Sequence, residues 1–137
     1  MATEKLERTV AQMHEDCGKL ALRLAQLTEE DLAKPTPHEW APTVREFLTA
    51  AAEHKRDHAQ QIAAKRKALD LERTAAQKIL ADVVAAQGEL DGALVGLADE
   101  DLETVPEGQT WSIGQALEHV AGTDGWFLSE IEKALKG

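Results

Sequence analysis

Most of what would mark a disulfide scaffold, a membrane protein or a nucleic-acid binder is missing from this sequence. Its 137 residues hold one cysteine, Cys17. No disulfide can close within a chain, as suits a reducing compartment. There is no tyrosine, and aromatic residues make up 4%, so a core must be built from Leu, Ala, Val and Ile, as helical bundles do. No apolar run approaches the ~20 residues that cross a bilayer. Positive charge is scarce too: 15 Lys and Arg stand against 25 Asp and Glu, for a net charge of -10. Such a surface repels phosphate backbones and anionic lipid, which argues against nucleic acid or membrane as a partner. The run Lys65-Arg66-Lys67 is too short to reverse this and reads as a solvated helix face. The charged opening Met1–Arg8 has no apolar stretch of signal-peptide type, and a cytoplasmic location is expected.

What remains is a chain of one-domain length with helical periodicity. Leu6, Val10, Met13, Cys17, Leu20, Leu24 and Leu27 alternate three and four apart and form one stripe of a first helix, with Thr3 as a candidate cap. Cys17 lies in that stripe and reads as a small core residue rather than a nucleophile. Residues 28–42 are a connection containing Pro35, Pro37, His38, Trp40 and Pro42. Thr43-Val44-Arg45-Glu46 is a capping box that opens a second helix. Its inward stripe is Val44, Phe47, Ala51, His54, His58 and Ile62. From Val44 to Gln87 there is neither Gly nor Pro, and Lys65–Thr74 carries no turn signal. A third stripe follows: Ile79, Val83, Ala86, Leu90, Leu94 and Leu97. Gly88, Gly92 and Gly96 lie four apart on another face, which either allows close helix approach or is merely tolerated. After a connection over 98–111, Ser112-Ile113-Gly114-Gln115 is a second capping box. It opens a last helix with Ile113, Leu117, Val120, Phe127, Ile131 and Leu135 on its stripe. The two halves echo each other, with Leu24–Leu32 paralleling Leu94–Leu102; each segment is followed by a loop, a Trp, a hydroxyl cap and a helix bearing His.

The histidines carry the chemistry. His54 and His58 are four apart, so their imidazoles share one helix face and can chelate one metal ion. The same spacing also suits a hydrogen-bonded or exposed pair. Burial of two imidazoles would favour the metal, because both must be satisfied. His119 flanks the last stripe and is a candidate third ligand or a boundary histidine. His14 reads as a flanking residue and His38 as solvated. Arg45, Arg56, Glu53 and Asp57 are candidates for substrate contacts, with solvated surface charge as the simpler reading. Trp126 reads as a core residue or as a wall near His119. There is no Gly-rich phosphate loop, nucleophile elbow or Cys pair, and no general base stands out.

The stretch Thr43–Ile62, with its His54-x-x-x-His58, resembles one metal-binding helix of DinB/YfiT-like proteins. Trp111-Ser-Ile-Gly-Gln-Ala-Leu-Glu-His119 resembles the other. The resemblance implies an all-α four-helix bundle spanning 1–137 in halves 1–69 and 70–137. It also implies a divalent ion (Ni or Zn, with Fe or Mn as alternatives) held by His54, His58 and His119. The family chemistry is thiol transfer or hydrolysis, with a small-molecule thiol or electrophile as substrate. The alternative is a non-catalytic module for dimerisation or partner binding. The halves stand in exchanged order relative to the family, in which the second and third helices of this chain would run parallel. One solution is a continuous helix from Val44 to Leu97, about 80 Å long at 1.5 Å per residue. It would build a homodimer of exchanged halves whose metal is shared between chains. The other is a break near Asp70 and a compact monomer.

Overall fold

The computed structural model describes residues 2–137, and the chain is all-α. The helices are α1 (Glu4–Leu24), α2 (Glu29–Leu32), α3 (Val44–Ala68), α4 (Ala75–Ala93), α5 (Ile113–Val120) and α6 (Thr123–Lys136), with a 3-10 turn at Asp99–Leu102 before α5. Pro35 and Thr43 form an isolated antiparallel bridge. Two compact units divide at residues 89 and 90.

In the first unit, α1 carries acidic residues in its first turn and Arg23 in its last, which matches its dipole. Glu4–Arg8 and Glu15–Lys19 add pairs four apart. Thr3 occupies the cap position, but its hydroxyl donates to Glu7 instead of accepting a helix N–H. The expected core stripe of α1 is not covered: Leu6 and Met13 are 63% and 52% exposed, and Cys17 is exposed. The reason is that the packing within this unit is between α2 and α3.

That packing rests on local chemistry. Thr28 and Asp31 form a reciprocal capping box around α2: the Asp31 N–H donates to Thr28 Oγ1 and the Thr28 N–H to Asp31 Oδ2. Lys34 Nζ donates to Asp31 at 2.7 Å. The Lys34 ammonium and the Thr28 N–H together hold the Asp31 carboxyl well below the usual carboxylate range. The loop closes through Thr36 N–H to Pro42 O and Val44 N–H to Lys34 O, both 2.9 Å. Ala41, 1% exposed, is sealed inside it. Arg45 Nη2 meets Glu29 Oε2 at 2.7 Å and ties α3 to α2. The expected capping box at Thr43 and Glu46 is present.

The continuous helix from Val44 to Leu97 is not formed. Asp70 takes φ 53°, in the left-handed region. The Leu71 N–H reaches Arg66 O at 2.9 Å and the Asp70 N–H reaches Lys67 O at 3.2 Å. This is a Schellman ending with aspartate where glycine is usual. Four residues later Thr74 and Gln77 form a further capping box, with Thr74 N–H to Gln77 Oε1 at 2.9 Å and Gln77 N–H to Thr74 Oγ1 at 3.2 Å. The break therefore has a stop signal and a start signal, neither using Gly or Pro. Along α4, Gly88 and Gly92 have no neighbour within 4 Å of a notional Cβ among the described residues, so no close packing there requires glycine.

In the second unit, the 3-10 turn and α6 each pack on α5. Ala98 stands where α2 has Thr28. Its N–H still donates to Asp101 Oδ2 at 2.8 Å, but no hydroxyl returns the bond. Half of the box is lost, and the segment is 3-10 rather than α. Ser112 caps α5 with Gln115 as expected and is buried. Gly114 is required by close approach: a Cβ there would lie 2.7 Å from Leu102 O. The expected single last helix is two, because Gly122 turns the chain at φ 83° between α5 and α6.

Candidate functional site

The best-defined constellation lies on α3. Its regular geometry puts His54 and His58 one turn apart, and their Nε2 atoms approach to 3.1 Å. The rings meet edge to face with centroids 4.4 Å apart. Gln61, one turn further on, places Oε1 2.9 Å from His58 Nδ1. An amide oxygen can only accept, so this contact suits the His58 tautomer with its proton on Nδ1, which presents a lone pair at Nε2. In that tautomer, Nε2 would accept from a His54 Nε2–H. The spacing also suits a shared ion. Two imidazole nitrogens at Zn–N distances of about 2.0–2.1 Å are about 3.3 Å apart in a tetrahedral shell and about 2.9 Å apart as neighbours in an octahedral one. The pair, at 3.1 Å, stands between these values, and the Gln61 contact favours the ligating tautomer of His58. Both histidines are exposed, however, so the expected burial of this face is absent and the pair lies open to solvent.

His119 lies in the last turn of α5, with its ring 5.0 Å from that of Trp111. Among the described residues no group of three or more His, Cys, Asp or Glu side chains is placed to hold a metal ion. His54 and His58 come together on α3 of the first unit, and His119 lies on α5 of the second. Trp126 is not a core residue: it is 58% exposed and lies against Phe127, with ring centroids 5.1 Å apart. Arg45 is held by Glu29. His14 is exposed on α1.

Beside the histidine pair lies a group that sequence reasoning did not assemble. Residues 38–47 wrap back so that His38 stacks on Phe47, with centroids 5.0 Å apart, and Trp40 lies tilted against both at 5.5 and 5.4 Å. A concavity of about 460 Å3 is lined by Trp40 and Phe47, by Ala50 and Ala51, and by Glu53, His54 and Asp57. The signal was present in part: Trp40 stands three residues before the cap Thr43, which brings its ring back over the first turns of α3. Gln61 was legible as well, three residues after His58.

Comparison with protein-family models, curated proteins and solved structures finds no match for this chain.

Proposed function

We propose that this chain is a divalent-metal-binding protein whose site is founded on His54 and His58, and that His119 of a second copy supplies the third imidazole. The observation that carries the reading is the 3.1 Å approach of the two Nε2 atoms with Gln61 on the far nitrogen of His58. A carbonyl oxygen on the distal N–H fixes the tautomer and orientation of a ligating histidine. Three imidazoles would leave coordination positions free, as in catalytic rather than structural zinc sites. The DinB/YfiT-like resemblance gives the reaction class, metal-dependent thiol transfer or hydrolysis. Bound there, Ni or Zn would lower the pKa of a coordinated thiol or water. The chain's own residues would orient the ion, with Gln61 holding the His58 ring and α3 holding the two rings in register. A homodimer is supported by the apolar side chains left uncovered on α1, which a second copy would bury.

Elemental analysis of the purified protein tests this, with the mass in solution measured alongside. One Ni or Zn per chain in a dimer, lost in His54→Ala and in His119→Ala, is the expected result. A monomer without metal, unchanged on addition of Zn, would overturn the reading. The uncovered stripe of α1 also favours a second reading, a non-catalytic module for dimerisation. In that case, replacing all three histidines would leave dimerisation and biological activity intact.

A further inference from the structure

The concavity beside His54 has a composition that selects a particular class of ligand. Two of its walls are aromatic, and Trp40 stays 68% exposed despite its contacts with His38 and Phe47, which leaves ring surface open to a ligand. Ala50 and Ala51 add apolar wall without charge. Both of its charged residues, Glu53 and Asp57, are carboxylates, and neither forms an ion pair among the described residues. The intervening cations Lys55 and Arg56 do not line it. Its volume, about 460 Å3, is in the range of small-molecule pockets.

We propose that this concavity binds an organic ammonium ion with apolar substituents, its charge placed against the Trp40 ring and the Glu53 and Asp57 carboxylates. Aromatic faces attract cations through the ring quadrupole, and methylated ammonium groups suit them because their charge is weakly hydrated and their surface apolar. The two carboxylates add Coulomb attraction, and the net charge of -10 steers cations toward the protein. A neutral apolar ligand would use the rings and alanines but gain nothing from the carboxylates. An anion would be repelled by them. This inference does not rest on metal binding. A divalent ion on the histidine pair would repel the ammonium, so the two sites would oppose each other.

The test is a titration of the full chain in chelator with choline and, separately, with its uncharged isostere 3,3-dimethyl-1-butanol. The readout is the Trp40 indole N–H in nitrogen-15-labelled protein, assigned by its loss in Trp40→Leu. Saturable choline binding about tenfold or more tighter than the alcohol is expected, from the ring and charge contributions together. The double variant Glu53→Gln/Asp57→Asn changes only exposed side chains, so its fold should be kept; it should remove most of that preference. Equal affinity for the two probes, no saturable binding of either, or a preference that survives the double variant would each overturn the proposal. A separate arm repeats the titration after the chelator is removed and Zn is added. Weakened choline binding would show both sites occupied in turn, while unchanged binding would count against the metal reading alone.

Discussion

Replacing Gly114 by alanine should destabilise the second unit, whereas the same replacement at Gly88 should not. A Cβ at position 114 would lie 2.7 Å from Leu102 O and 3.2 Å from Leu102 Cβ, where ordinary contact begins at 3.4 Å. The carbonyl is backbone and belongs to the 3-10 turn packed on α5, so the turn itself must retreat by several tenths of an ångström. Overpacking of this kind costs about 1–3 kcal/mol. Alanine in the first turn of α5 returns at most about 1 kcal/mol of helix propensity, leaving a net loss of up to about 3 kcal/mol. Gly88 lies inside α4 with nothing within 4 Å of its notional Cβ, so Gly88→Ala should gain up to about 1 kcal/mol. Urea unfolding followed by circular dichroism reads both. Gly114→Ala should unfold at lower urea than wild type and Gly88→Ala at higher. If Gly114→Ala proved the more stable of the two, the packing of the 3-10 turn on α5 described here would be refuted.

The break between α3 and α4 makes two further predictions. Asp70→Gly should stabilise by about 0.5–1 kcal/mol, because Asp70 pays for a left-handed conformation that glycine adopts freely. Thr74→Ala should cost about 1 kcal/mol by removing the cap of α4. A continuous helix would reverse both signs, and urea midpoints decide. The Asp31 carboxyl is held below its usual range by Lys34 and the Thr28 N–H. Its contribution to stability is therefore full above the unfolded value of about 3.9 and is lost as pH falls through the folded one. Thermal unfolding between pH 5 and about 2 should fall less steeply in Asp31→Asn than in wild type, and identical slopes would contradict the assignment.

The all-helical class was legible because the 3.6-residue periodicity of apolar side chains is a local property. The capping boxes at Thr43 and Ser112 were legible for the same reason: a four-residue pattern encodes each of them. The box at Thr74 has the same pattern but lies inside a run of good helix formers, and the ending before it uses Asp70, not glycine. Without Gly or Pro as punctuation, the run reads as one helix. The kink at Gly122 was missed because the apolar spacing of α5 and α6 continues across it. The inward assignment of the α1 stripe failed for a different reason. Periodicity shows which face of a helix is apolar, but it does not show what covers that face. The histidine pair was legible from spacing alone. Its tautomer and the aromatic group beside it needed side-chain geometry, because loop 35–43 folds back through hydrogen bonds between residues whose sequence shows no periodic pattern.

The most direct test of the account is the nitrogen-15 spectrum of the histidine rings during titration of the full chain with Zn. Before metal, His58 should be protonated on Nδ1, with its Nε2 accepting from His54. With one equivalent per site, the Nε2 signals of His54 and His58 should shift together to the ligated range, and the His54 proton should appear on Nδ1. Movement of one ring without the other, or of neither, would contradict the claim that the pair closes on a single ion.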